Sequence, residues 1–459
     1  MALAHAATGH QPYRGSGSIS SWWHTIRRRY KWWQLALFVI GVIAFVSVMG
    51  ALFFAVGNKP ARIYTDSAVP PVGSPHFSTA LAAIAGAPVE HGGSVAILNN
   101  GDEFVPALLQ SISEATRTIN FSVYIWSSGE ISKQVLSALE KKQREGVTVR
   151  ILLDGFGSIK VSDEDFESLI AAGGKVHKFR APRFGKLTRF HRRNHRRAIV
   201  IDGVVGFTGG MAVSDVWLGN AQDKEHWRDV MFKVTGPLAR SLQTAFVDRW
   251  VSSSGELLID PRNYPFPAPA EAEAPGVEQF VHLASSPADD DQSLANFILL
   301  PILAARQSIY LASPYFIPDS HLQETLVKRA RDGIDVRLLL PGSHTDNWIT
   351  RASARARYRE LLEAGARIYE YQPTFMHAKY AVIDGQWSII GSPNLNSRSR
   401  QLDEENALGI LDRPLAGQLH AIFFKDLQRA EQINLEQWQR RHPLNKLFES
   451  ISRILDQQS

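Results

Sequence analysis

Residues 377–385 read HAKYAVIDG and residues 195–203 read HRRAIVIDG, the same phrase with Arg197 where the later copy has Lys379. A constant offset of 182 carries His195 onto His377, Asp202 onto Asp384 and Gly209 onto Gly391. Further out, GVTVRILLDG at 146–155 echoes GIDVRLLLPG at 333–342. In the first copy, 119–126 reads as a strand, 130–145 as an amphipathic helix and 147–153 as a strand. In the second, 308–316, 321–332 and 335–340 repeat that order. A β-α-β order implies parallel strands in an α/β layer, here duplicated.

The chain has 459 residues, more than one core of ordinary size can organise, and its 44% hydrophobic and 21% charged content is that of a folded protein. Two domains are expected, over 95–255 and 281–430. A Pro/Ala-rich linker (256–280, containing YPFPAPAEAEAPG) joins them, with a linker at 57–94 and an amphipathic C-terminal segment at 431–459. Zero cysteines exclude disulfides and thiolate chemistry. The net charge is only +5, yet 177–197 carries nine Lys or Arg and no acid. Such a run suits an anion, above all phosphate in a lipid or a nucleic acid.

Residues 35–56 (LALFVIGVIAFVSVMGALFFAV) contain no charge and are long enough to cross a bilayer as a helix. Arg27, Arg28, Arg29 and Lys31 precede them among four tryptophans, so 1–34 is expected to be a cytoplasmic basic and aromatic segment. The run exceeds the apolar core of a cleaved signal peptide, the competing reading. An uncleaved single-pass anchor in the inner membrane follows, with the remainder on the outer face.

On a strand, His377 and Lys379 project from one face, whereas Asp384 has the opposite parity and forms with Gly385 a hairpin-closing turn. The returning strand brings Gly391 and Ser392 towards His377, with Asn394 just beyond; the first copy does the same with Gly209 and Gly210. Two such halves about a pseudo-two-fold set two imidazoles and two cations around one cleft. That arrangement suits displacement at a phosphodiester: one His attacks phosphorus, the other protonates the leaving oxygen, and the cations with Asn394 stabilise the non-bridging oxygens. No metal and no cofactor is called for.

These residues resemble the phospholipase D superfamily, whose signature is His-x-Lys-(x)4-Asp occurring twice and followed by Gly-Gly or Gly-Ser. RELLEAGARIYEYQ (359–372), MHAKYAVIDGQWSIIGSPNLNSRS (376–399), SPYFIPD (313–319) and RFHRRNHRRAIVIDG (189–203) are similar to bacterial cardiolipin synthases. The resemblance implies two duplicated domains, each a mixed β-sheet flanked by helices. Its catalytic set is His195, Arg197, Asp202, His377, Lys379 and Asp384, with His195 the nucleophile and His377 the acid. Gly210, Ser392, Asn394, Asp229 and Glu405 are carried as substrate-site residues, the two acids matching positions that orient a His in the family. The implied activity is membrane-anchored phosphatidyl transfer onto phosphatidylglycerol. Anionic phospholipids are then the partners, with a hydrolytic phospholipase D or a nuclease as alternatives. Trp217, Trp227 and Trp348 are candidates to lie near acyl chains. Arg197 and Ala212 depart from the family pattern, and an Arg197→Lys change is expected to preserve or raise activity.

Overall fold

The computed structural model describes residues 68–180, 192–265, 276–286 and 292–441, with helical residues 32–34, 36–42 and 45. The chain divides into a unit ending at Ala61 and a unit from Arg62 onward. Most of 35–56, the basic stretch 181–191 and the linker residues 266–275 lie outside the described residues. Among those described, no helix is long and apolar enough to cross a membrane.

The central strands of each half are buried along their whole length, covered on both faces. The first sheet contains β1 (Val95–Asn99), β2 (Thr118–Val123), β3 (Thr148–Asp154), β4 (Lys175–Phe179), β5 (Ala198–Ile201), β6 (Val205–Gly209) and β7 (Val230–Thr235). The second half contributes β8 (Gln279–Ser285), β9 (Ser308–Ala312), β10 (Phe316–Ile317), β11 (Asp335–Pro341), β12 (Arg367–Tyr371), β13 (Tyr380–Ile383), β14 (Trp387–Gly391), β15 (Leu395–Asn396), β16 (Glu405–Leu411) and β17 (Ala430–Gln432). The first sheet runs β1-β7-β6-β5-β2-β3-β4; the second, read the same way, runs β8-β16-β14-β13-β9-β11-β12-β17, and β10 and β15 form a separate ribbon. The two orders superpose strand for strand, with β17 an added edge. In both, the βαβ strands are parallel and the hairpin strands antiparallel.

One apolar cluster runs across the halves. It unites Val200, Phe232 and Val234 with Tyr380, Val382 and Ile410, together with the helices Pro237–Ser254 and Arg413–Leu427. The phrase strands β5 and β13 therefore approach each other from opposite sides of a common core.

Three boundaries differ from the sequence reading. Residues 57–94 are not only a linker: the helix Pro75–Ala85 is capped by Ser74 and ends at the left-handed Gly86. Its Phe77 and Leu81 are buried in the core of the second half, Phe77 edge-on to Trp387 at 4.9 Å. The second sheet starts at Gln279 rather than 281. Ala430–Gln432 pairs with β12, and Trp438 packs on Tyr358 at 5.2 Å, so the segment from 431 begins as part of this domain. STALAAIAG (78–86) reads as a short helix in the sequence, but only the tertiary core reveals that it, like the C-terminal pieces, packs into this domain.

Asp202-Gly203 and Asp384-Gly385 close the two hairpins with positive φ throughout (53° and 70°, 52° and 63°), the geometry of the hairpin-favoured turn. The Asp384 carboxylate accepts from the backbone N–H of Arg306, Gln307 and Ser308 at 2.7–2.9 Å. Asp202 accepts from the Thr116, Arg117 and Thr118 N–H groups and the Thr116 hydroxyl at 2.7–2.9 Å. Each Asp thus ties its turn to the entry of the central strand beside it, and neither belongs with the reacting groups. Their inclusion in the catalytic set is corrected on this ground. Asp384→Asn, which keeps one acceptor oxygen, should lower stability by about 1–3 kcal/mol in denaturant titrations while leaving the turnover of the folded fraction intact.

Candidate active site

Two short parallel pairings stitch the halves together just ahead of the histidines. His195 N–H donates to the Glu404 carbonyl (2.9 Å) and Glu404 N–H to that of Arg193 (2.9 Å); Arg228 N–H donates to Phe375 (3.0 Å) and His377 N–H to Arg228 (2.7 Å). The residue following each bridging partner is an acid. His195 Nδ1 consequently lies 2.9 Å from Glu405 Oε2, and His377 Nδ1 2.6 Å from Asp229 Oδ2. Each imidazole is held by a carboxylate from the opposite half. Flanking ion pairs mirror this exchange with their signs reversed: Arg228 binds Asp426, while Glu404 binds Arg249.

Asp229 Oδ2 also accepts from Trp217 Nε1 (2.9 Å), and its Oδ1 from Val230 N–H (2.8 Å). A Cβ on Gly210 would lie 2.1 Å from Asp229 Oδ1, so glycine there is what admits the carboxylate. Ser392, at the corresponding position of the second half, instead donates its hydroxyl to Glu405 Oε2 at 2.5 Å. Asp229 and Glu405 therefore lie on the Nδ1 side of the imidazoles, with Gly210 and Ser392 packed against the two carboxylates. Trp217 is a further correction: it is buried, and it packs with Trp227 and Phe375 around the His377 ring at 5.3–5.6 Å.

The cations also correspond. Arg197 Nη1 donates to the His195 carbonyl and Lys379 Nζ to the His377 carbonyl, both at 2.9 Å. Lys379 Nζ lies 3.0 Å from His377 Nε2 as well. Arg197 is wholly buried, yet its Nε and Nη2 have no hydrogen-bond partner among the described residues; nor has Asn394 Oδ1. Buried donors left unmade are costly and point to a ligand that satisfies them. This changes the expectation for Arg197→Lys, since a lysine could keep the contact to His195 but not the two remaining donors. Ala212, in the position of Asn394, is buried in the first-half core. Arg196 is no headgroup contact: it binds Asp248 and the carbonyls of Ala245, Ala284 and Ser285, bracing the halves.

Two tyrosines escaped the sequence reading. Tyr124 follows β2 and lies 4.7 Å from the His195 ring; Tyr315 follows β9 and lies 6.3 Å from His377. The available signal was the Tyr shared by SVYIW (122–126) and SPYFIP (313–318).

Burial, reinforced by Arg197 and Lys379, holds His195 well below the ordinary imidazole value. Burial and Lys379 bring His377 down to about 4 against the opposing pull of Asp229, and burial lowers Lys379 to about 7. Asp229 is lowered, because His377 and Lys379 outweigh its burial, whereas burial and the nearby Asp403 push Glu405 well up. Both imidazoles are therefore held neutral. Glu405 Oε2 accepts the Ser392 proton and faces His195 Nδ1, so Nδ1–H donates and Nε2 keeps its lone pair. Among the described residues, no cluster of His, Asp and Glu is placed to hold a metal ion.

The family model described as "Cardiolipin synthase, PLD-like domain" matches residues 108–243 and 298–427. The cardiolipin synthase of Geobacillus kaustophilus is 36% identical over 369 residues, covering 80% of this chain and 73% of that protein. Cardiolipin synthase 1 of Bacillus anthracis is 34% identical over 390 residues, 83% of this chain and 76% of that one. Among solved structures, phosphatidylserine synthase from Haemophilus influenzae shares the fold, with a TM-score of 0.62 at 17% identity over 83% of this chain and 96% of that one.

Lys379 titrates near 7 in the folded chain against an ordinary 10.5, so between those values the unfolded chain binds more protons and stability rises with pH. Lys379→Met should abolish activity, raise stability at pH 7 by about 1–3 kcal/mol, and flatten that rise, as read by thermal unfolding across the pH range.

Proposed function

Since the chain belongs to the cardiolipin synthase family of phospholipase D-like enzymes, we propose that it transfers a phosphatidyl group from one phospholipid to the glycerol hydroxyl of phosphatidylglycerol, forming cardiolipin. The observation that carries this reading is the pair of crossed His–carboxylate contacts, which leaves two oriented imidazoles beside two buried cations. His195 Nε2 attacks phosphorus, the P–O bond to the headgroup breaks as the P–N bond forms, and His377 gives its proton to the leaving oxygen. The acceptor hydroxyl then loses its proton to His377 and attacks the phosphohistidine, freeing His195.

The roles follow from unequal electrostatics. Asp229 stays ionised and favours an imidazolium at His377, the acid. Burial opposes charge on Glu405, so nothing comparable supports an imidazolium at His195, which remains a neutral nucleophile. The anionic diester supplies the charge that raises His377 and satisfies Arg197 Nε and Nη2, in the low-dielectric setting where such contacts are strongest.

The same reading includes a single span over 35–56, with the N-terminus cytoplasmic and the catalytic unit on the outer face of the inner membrane. Its support is the apolar sequence with its cationic and aromatic flank, together with the exposure of helical Leu37, Phe38, Val39 and Ile40.

Purified protein in detergent, given phosphatidylglycerol, should yield cardiolipin and glycerol. Phosphatidic acid alone would mean hydrolysis, and cleavage of DNA without lipid turnover would refute the reading. With a p-nitrophenyl phosphodiester, whose leaving group needs no acid, His377→Ala should still form an acid-labile phospho-enzyme and His195→Ala should not. Arg197→Lys should raise KM for phosphatidylglycerol about tenfold through the two lost charge-assisted bonds.

A further inference from the structure

Each tyrosine beside a histidine is also tied to the loop that follows a parallel strand. In the first half, loop 155–162 leaves β3. Gly157 packs so closely that a Cβ would meet the Tyr124 carbonyl at 2.2 Å. Arg193 donates to the Tyr124 hydroxyl at 2.8 Å while its guanidinium lies 3.9 Å from the Phe156 ring centre. In the second half, loop 342–347 leaves β11, the counterpart of β3, and Tyr315 donates to Asp346 at 2.5 Å. Large apolar side chains reach solvent on the first loop and just past the second: Ile159 is 66% exposed, Phe156 37%, and Trp348, at the start of the helix Trp348–Arg355, 65%.

An exposed Ile or Trp taken alone needs no explanation. Here the side chains stand on or just past equivalent loops of a duplicated fold, one on each side of the same pair of histidines. Lys160 is exposed beside Ile159, and Arg192 and Arg193 lie half-buried nearby. Of the acids that follow, Asp163 pairs with Lys178 and Asp165 accepts from the Ser128 hydroxyl, while Glu164 and Glu167 are exposed. Leu257 and Ile259 are also exposed. They lie at the other end of the sheet, where neighbouring Glu256 pairs with Lys175 at the start of β4.

We propose that Phe156, Ile159 and Trp348 form a two-sided apolar rim by which the mouth of the catalytic cleft docks on the surface of an anionic bilayer. Apolar prongs enter the headgroup region, where an indole is favoured, and the adjacent cations meet lipid phosphates. A phospholipid then passes from bilayer to cleft without crossing water. The inference rests on the phosphatidyl-transfer reading.

The test uses the full-length protein and two presentations of substrate: long-chain phosphatidylglycerol diluted in non-ionic detergent micelles, and dihexanoyl phosphatidylglycerol dissolved as monomers. The double variant Ile159→Glu, Trp348→Glu should lose about tenfold in rate at low surface fraction of the long-chain lipid and stay within about twofold on the monomeric one. Ile259→Glu should change neither. A double variant that matches the original protein on micelles, or loses both activities equally, overturns the rim. A wild-type protein inactive on both presentations refutes the phosphatidyl-transfer reading instead, and the inference falls with it.

Discussion

The structure depends on an exchange: the carboxylate that orients each imidazole belongs to the other half of the chain. Neither half holds a finished site, because His195 without Glu405 and His377 without Asp229 would each be a buried ring with an unsatisfied Nδ1. The packing of the halves is therefore part of the chemistry. Backbone pairings at Glu404 and Arg228 set the register, and the shared apolar cluster makes the junction as dry as a domain core. In that medium the ion pairs Arg228–Asp426 and Arg249–Glu404 persist because both partners are present; removing one would strand a buried charge.

Duplication supplies two copies of a scaffold, and small differences between them divide the labour. Gly210 admits Asp229 by having no side chain, whereas Ser392 meets Glu405 with a hydroxyl. One carboxylate stays ionised beside its imidazole and the other is driven towards neutrality by burial. Arg197 keeps the carbonyl contact that Lys379 makes and adds two donors without a hydrogen-bond partner among the described residues. An otherwise symmetric site thereby gains a direction, on which the proposed division between an attacking and a proton-transferring imidazole rests. Burial holds Lys379 near 7, so its charge is favoured most beside an anion.

The duplicated phrase, the β-α-β order and the His-x-Arg/Lys spacing were legible in the sequence because they are local: period 2, period 3.6 and a constant offset need no partner to be seen. Strand parity was enough to send Asp202 and Asp384 to the turns, where their carboxylates bind backbone N–H groups. What escaped were attachments that exist only against something else, such as the seat of the helix Pro75–Ala85 in the second core, and residues defined by their neighbours, such as Tyr124, Tyr315 and Trp217. Within the basic stretch, Arg196 was beyond a sequence reading for a related reason. Composition marks charge, not its destination, and Arg196 spends its charge on carbonyls between the halves.

By itself, the sequence determined which chemical groups this protein owns, that they come twice, and that each histidine travels with a cation two residues on. Only the tertiary structure decided which acid serves which imidazole. A carboxylate reaches only about one hydrogen bond beyond its own backbone, and 210 residues separate His195 from Glu405, so no local rule could pair them. The fold that crosses the two halves also sets the dielectric around each pair, and with it the protonation on which the proposed roles rest.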